Sequence, residues 1–269
     1  MKYPFLKLFI ITGFIFSFYN FSNAQGTENK SIQAGLTTSF GLNFANMGTS
    51  IMDKNGLGTN FSIGLLMHKS FKDSKNFGIA TGLEFDFGSL KFAKSASSPE
   101  IFYNYTDREI LPSSNTIENI FSLTDRKHKT IQVSIPIALL FRTDMILDFR
   151  YFTKFGLRNS FVFSNKMIDD GTDKTGTPQI EKINEGMLSK NEMFFYQASL
   201  GLSLGTEWNF IGSTSLVAEM SYYYGLTPLF SDRTAKKETL YTKDSSGDIK
   251  SFSNKATLNQ LNLKFALLF

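Results

Sequence analysis

The chain has 269 residues, a hydrophobic fraction of 42%, a formal net charge of +4 and no cysteine. Without a thiol there is no disulfide, no cysteine metal site, no thiol nucleophile and no lipidated amino-terminal cysteine. Beyond the amino-terminal segment no stretch approaches ~18 consecutive apolar residues, and acids and bases are intermixed, which excludes a helical membrane protein and gives no sign of nucleic-acid binding.

Residues 1–24 read as a secretory signal peptide. A short basic start with Lys2 and Lys7 precedes an apolar run over 8–18, and Ser22-Asn23-Ala24 supplies the small-residue cleavage pattern. An amino-terminal membrane anchor is the alternative, but the run is nearer a signal core than the ~20 residues of a spanning helix. Cleavage leaves roughly 245 residues and a charge of about +2, because Lys2 and Lys7 depart with the signal. That is one domain, 25–269, with no solenoid repeat and no dividing linker.

The first alternating segment, 32–42, sets Ile32, Ala34, Leu36, Phe40 and Leu42 against Gln33, Gly35, Thr37, Ser39 and Gly41. Period-two alternation of this kind makes a strand with two unlike faces. After a connection at 43–58, a second strand carries Phe61, Ile63, Leu65 and Met67 on one face and Ser62, Gly64 and His68 on the other. A turn at Lys72-Asp73-Ser74-Lys75 leads into a third strand, 76–90, where Phe77, Ile79, Leu83, Phe85 and Phe87 oppose Gly78, Ala80, Gly82, Glu84, Asp86 and Gly88. Residues 91–127, with Pro99, Pro112 and many Ser, Asn and Thr, read as a long polar loop.

A fourth strand, 130–142, alternates Ile131, Val133, Ile135, Ile137, Leu139 and Phe141 with Gln132, Ser134, Pro136 and Ala138. Thr143-Asp144-Met145 reads as a tight turn. The fifth strand returns through Leu147, Phe149, Tyr151, Phe155, Leu157, Phe161 and Phe163, with Asp148, Arg150, Lys154, Gly156 and Arg158 on its other face. A second polar loop spans 165–190. The sixth strand sets Phe194, Tyr196, Ala198, Leu200, Leu202 and Leu204 against Gln197, Ser199, Gly201, Ser203 and Gly205, and a short connection over 209–213 follows. The seventh, 214–226, sets Leu216, Ala218, Met220, Tyr222 and Tyr224 against Glu219, Ser221, Tyr223 and Gly225. After a polar segment, 231–255, the closing strand 259–269 alternates Leu261, Leu263, Phe265, Leu267 and Phe269 with Gln260, Asn262 and Lys264.

Eight strands with connections alternating long and short predict an all-β fold, an eight-stranded antiparallel up-and-down transmembrane β-barrel with short periplasmic turns and long extracellular loops. Both termini fall on the periplasmic side. The bulky apolar faces point to lipid and the small polar faces to the lumen, since a cylinder of about eight strands leaves room only for side chains. Glu84, Asp86, Asp148, Arg150, Lys154, Arg158, Glu219 and Lys264 are expected to meet there as a structural charge network in which each buried charge finds a partner.

No catalytic, cofactor-binding or metal-binding residue is expected, and the chain reads as non-enzymatic. His68 and His128 stand near opposite ends of the cylinder with no hydroxyl nucleophile and orienting group assigned to either. The i, i+2 spacing of Glu84 and Asp86 follows from lying on one strand face. Asp169-Asp170-Gly171-Thr172-Asp173 lacks the full spacing and terminal Glu of an EF-hand.

The signal segment, Ile131-Gln132-Val133-Ser134-Ile135-Pro136-Ile137-Ala138-Leu139-Leu140-Phe141, Gly201-Leu202-Ser203-Leu204-Gly205-Thr206-Glu207-Trp208, Tyr222-Tyr223-Tyr224-Gly225-Leu226 and the terminal Phe269 resemble the PorT-like family of outer-membrane β-barrel proteins. Pro136 is the most specific mark, because proline removes a ladder donor and belongs at an edge or bulge. The resemblance implies a small barrel of the Gram-negative outer membrane, similar to an assembly factor for a secretion and gliding system, and no catalytic residues. The expected partners are outer-membrane lipid, the barrel-assembly machinery through the final strand ending at Phe269, and a protein at the outer loops. The leading expectation is a structural or binding module working through those loops, with 91–127 removable without unfolding the barrel. A porin-like channel for small solutes and a lipid-modifying enzyme are the rivals.

Overall fold

A computed structural model describes residues 31–269 apart from 73, 114–118, 190–191, 212–213, 232–237 and 245. The expected signal peptide, Asp73 and residues 212–213 of two expected turns, and parts of the expected loops lie outside the described residues. The strands are β1 (Ile32–Met47), β2 (Met52–Lys54), β3 (Gly58–Phe71), β4 (Ser74–Lys94), β5 (Ile101–Thr106), β6 (Glu109–Leu111), β7 (Ile120–Arg142), β8 (Phe149–Asp173), β9 (Ile180–Met187), β10 (Tyr196–Ile211), β11 (Thr214–Gly225), β12 (Leu240–Lys243), β13 (Ile249–Phe252) and β14 (Ala256–Leu268).

Eight of them close a ring in the order β1, β3, β4, β7, β8, β10, β11, β14 and back to β1, each pair antiparallel. Closure leaves no unpaired edge in the wall, the condition for a sheet to stand in hydrocarbon. The last strand seals against the first, from Gly35 opposite Leu268 to Met47 opposite Ala256. On the β4–β7 seam the register holds at Thr81 opposite Ile137 and resumes at Glu84 opposite Ser134, so the ladder is interrupted where Pro136 has no N–H to give. The Thr81 hydroxyl donates to the Pro136 carbonyl there (2.9 Å).

The wall is inside out by the standard of a soluble protein. Phe40, Ile137, Leu204 and Met220 are more than half exposed on the outer surface, while Ser134 and Glu84 inside are fully buried. A continuous apolar surface of this kind demands lipid. Trp208 stacks with Phe149 (6.1 Å) and meets Phe210 (5.5 Å) near the end with short turns, as in an interfacial aromatic girdle.

Two strands run far beyond the bilayer. β8 has 25 residues and β7 has 23, whereas about 9–11 residues suffice to cross. Their outer ends, with β2, β5, β6, β9, β12 and β13, form an extracellular head. This corrects the long polar loops expected at 91–127, 165–190 and 231–255. The strands continue through much of those segments, and β5 packs between β7 and β12 with Ile101 to Tyr105 all buried. Deleting 91–127 would strip Phe92, Ile101, Tyr103, Phe121 and Leu123 from the core of the head, so it is not the clean loop removal the sequence promised. The turn expected at Thr143-Asp144-Met145 also extends further. Leu147 has a positive φ of 58° and is 89% exposed, so it belongs to the turn and not to the fifth strand.

Candidate functional site

The lumen is filled in layers, and each layer follows from which residue types the inward positions supply. In the periplasmic half Leu66, Ala80, Leu140, Phe152, Val217, Ala266 and Leu268 pack into an apolar plug. On β4, β8, β11 and β14 the plug residues Ala80, Phe152, Val217, Ala266 and Leu268 lie periplasmic of the charges Glu84, Lys154, Glu219 and Lys264.

The middle layer is ionic. Arg158 donates from Nη1 to Glu84 Oε2 (2.5 Å) and from Nη2 to both carboxylate oxygens of Asp86 (2.7 and 2.8 Å). Lys264 Nζ reaches Glu84 Oε1 (2.5 Å), and Lys154 Nζ reaches Glu219 Oε2 (2.6 Å). Three carboxylates meet three cations, so the layer is neutral. Removing ions from water costs several kcal/mol each, which close pairing must offset. Hydroxyls take up remaining lone pairs. Ser134 donates to Asp86 and bonds Ser160 (2.6 Å), while Ser203 donates to Ser221 (2.9 Å), which donates to Glu219 (2.9 Å). Further out lies a layer of amides, where Gln260 donates to Asn43 (3.0 Å) and Gln132 to Gln197 (3.4 Å).

Six of the eight charges expected in the network therefore come together: Glu84, Asp86, Lys154, Arg158, Glu219 and Lys264. Two do not. Asp148 sits exposed in the periplasmic turn between β7 and β8. Arg150, half-buried, lies 3.9 Å from Glu207 in a separate cluster at the periplasmic rim. There Glu207 also forms an ion pair with Arg142 (3.1 Å) and faces His68 Nδ1 (3.1 Å). Glu207 and Arg142 lie at the periplasmic ends of the sixth and fourth expected strands but were not counted among the inward charges. Glu207 simply continues the inward series Gly201, Ser203, Gly205.

The extracellular head has an ordinary buried core. Met52, Leu90, Phe92, Ile101, Tyr103, Phe121, Leu123, Met167, Met187 and Phe230 are among its members. Arg126 crosses it fully buried, with Nε and Nη2 donating to the two oxygens of Asp169 (2.8 Å each) and Nη1 to Glu192 (2.9 Å). Its guanidinium lies over the Tyr103 ring (5.4 Å). Asp169, considered above as part of a calcium loop, is thus an arginine partner. His128 bonds Asn165 Oδ1 through Nδ1 (3.0 Å) and is flanked by Phe92 (5.5 Å) and Phe230 (5.4 Å). Burial pushes its pKa down.

Both histidines are thus held by a carboxylate or an amide, and among the described residues no serine or threonine hydroxyl bonds either ring. Nor is there, among the described residues, a group of three His, Asp or Glu side chains that could hold a metal ion.

The sequence matches the family described as outer membrane protein beta-barrel domain over residues 23–231. The chain belongs to that family. It is a barrel of the Gram-negative outer membrane, the lipid-facing wall and short periplasmic turns being the physical expression of that membership. No curated protein matches it. Solved barrels similar to it include Ail of Yersinia pestis (11% identity, 89% of this chain and 100% of that one, TM-score 0.33), Neisserial surface protein A (11%, 89% and 96%, TM-score 0.34) and a major outer membrane protein from Thermus thermophilus (14%, 88% and 99%, TM-score 0.36).

Proposed function

We propose that this outer-membrane barrel is a non-enzymatic, non-conducting binding module whose working surface is the extracellular head. The observation that carries the reading is the filled lumen: apolar plug, neutral ion layer, amide layer and head core succeed one another along the axis. A cylinder so filled offers no water path, which disfavours the channel. The head, in contrast, turns apolar side chains outward on its edge strand β9, where Ile180 and Ile183 are 62% and 58% exposed. Exposed apolar residues on a rigid scaffold suit a protein partner. A PorT-like accessory role in secretion is the finer form of this reading, and it rests on the sequence resemblance.

Planar-bilayer recording of the full chain tests it. The reading expects no discrete conductance steps, and sustained single-channel currents would transfer the function to the passive-channel hypothesis. For the enzymatic rival, H68A and H128A are expected to leave the lipid composition of the host outer membrane unchanged.

A further inference from the structure

Four lysines stand together on the outer wall just above the lipid-facing band. Lys129 lies between Ser89 of β4 and Lys166 of β8, and in the next row Lys127 lies between Lys91 and Ile168. All four are on the outward face, with Lys91, Lys129 and Lys166 exposed and Lys127 half-buried. The row immediately below holds Phe87, Ile131 and Ser164, with the exposed Phe163 beside them. The array therefore begins where the apolar band ends.

Like charges directly opposite on neighbouring strands repel, and Lys91 faces Lys127 while Lys129 faces Lys166. None of the four makes an ion pair with a described carboxylate. The acids nearest in register, Asp53, Asp125 and Asp170, lie one row further from the bilayer, and Asp125 already accepts from Asn55 Nδ2 (2.5 Å). The array is confined to one arc of the wall. On β1, β3 and β14 the outward positions that follow the last lipid-facing residue are Asn46, Thr59 and Asn259. Four uncompensated positive charges at headgroup depth on one side of the barrel call for anions supplied by the membrane.

We propose that Lys91, Lys127, Lys129 and Lys166 form a binding site for the phosphate groups of a phosphorylated glycolipid in the outer leaflet. The acyl chains would lie on Phe85, Phe87, Ile131 and Phe163 below, and Asp125 and Asp170 above would keep the phosphates at the level of the lysines. The site adjoins the partner surface proposed for the head, since Lys91, Lys127 and Ile183 line one hollow, but the proposal does not rest on that partner.

The test is native mass spectrometry of the full chain from detergent micelles, titrated with a bis-phosphorylated disaccharide lipid, its dephosphorylated form, phosphatidylcholine or inorganic phosphate. Wild type should retain the bis-phosphorylated lipid selectively, with affinity falling as salt rises. Each Lys→Gln change should weaken it about fivefold, and K91Q/K127Q/K129Q/K166Q by several hundredfold. The matching four Lys→Arg changes should keep binding, and Lys→Gln at Lys174, Lys182, Lys243 and Lys250 should leave it unchanged. Heat-dependent gel mobility identifies folded variants, and the single substitutions carry the test where the quadruple one does not fold. Equal retention of the dephosphorylated lipid, binding undiminished in the Gln variants, or competition by inorganic phosphate at the same concentration would overturn the proposal.

Discussion

β4 builds two opposite kinds of structure along one unbroken strand. Below Gly88 its outward residues are Leu83, Phe85 and Phe87, and its inward residues are Glu84 and Asp86. Above Gly88 the outward residues are Ser89 and Lys91, and the inward ones are Leu90 and Phe92. β7 shows the same change on its outer face, from Ile131 and Ile135 in the band to Lys127 and Lys129 above it, and beyond a register shift between Leu123 and Asp125 it turns Phe121 and Leu123 inward. On β4 the period stays at two and the polarity inverts. The solvent outside the wall changes at that level from lipid to water, so the same alternation must place its apolar half on the other face. The barrel holds its shape by backbone closure around a polar filling, and the head holds its shape by a buried apolar core.

The two regions should therefore break under different substitutions. The largest effect is expected in the barrel. Arg158→Met leaves Glu84 and Asp86 without their shared cation and should cost ~3–5 kcal/mol, read by denaturant unfolding in micelles. Its counterpart on the head surface, Lys182→Met beside Asp173 (3.4 Å), should cost no more than about 1 kcal/mol. An equal loss at the two sites would contradict the division.

Phenylalanine truncation on one strand sharpens it. Phe92→Ala opens a cavity in the head core and should cost ~3–5 kcal/mol, with hydrogen exchange rising in β5 and β12 and unchanged in β14. Phe87→Ala should cost about 1 kcal/mol or less, because lipid fills the vacated space and no cavity remains.

Smaller effects follow from pH, and only for the head. Burial, the largest influence on His128, holds its folded pKa below the ordinary 6.5. The unfolded head takes up the proton first as pH falls. Head stability is then at its full value above pH 6.5 and declines on acidification below it, and H128N should flatten that decline. At Asp173 burial pushes the carboxyl up, but hydrogen bonds from Thr175 and Tyr105, with Lys182, outweigh it and hold the pKa at about 2. Its contribution is present above the ordinary 3.8 and is lost as pH falls through about 2. The group is half-buried at the surface of the head beside the exposed Lys182, where solvent screens the pair, so D173N should shift stability by less than about 1 kcal/mol. Amide exchange in the β8–β9 hairpin reads that change.

The barrel was legible because lipid-facing strands keep a strict alternation over many residues, as in Phe77 to Phe87 or Leu261 to Phe269. The head was not, for the reason the two regions differ. Where polarity inverts, as from Phe87 outward to Phe92 inward, alternation looks broken although the strand continues. β5 adds a second difficulty, since Ile101-Phe102-Tyr103-Asn104-Tyr105 is buried throughout and shows no alternation. Much of the ion network was readable from charged residues at inward positions of strong strands. Its errors cluster at strand ends: Asp148 was carried inward from a turn that ends later, Arg150 faces inward but joins the rim, and Glu207 and Arg142 at the periplasmic ends of β10 and β7 were not counted.

The inversion on β4 is the central claim, and a cysteine-free chain permits a direct measurement. Single cysteines at positions 83 to 93 would carry nitroxide labels, and collision with oxygen, which concentrates in lipid, would be compared with a water-soluble nickel complex. At 83, 85 and 87 oxygen should dominate, at 89 and 91 nickel, and at 84, 86, 90 and 92 both should be low. Nickel access at 84 and 86 would mean a water-filled lumen. Oxygen dominance continuing through 89 and 91 would mean that the wall does not change solvent at Gly88.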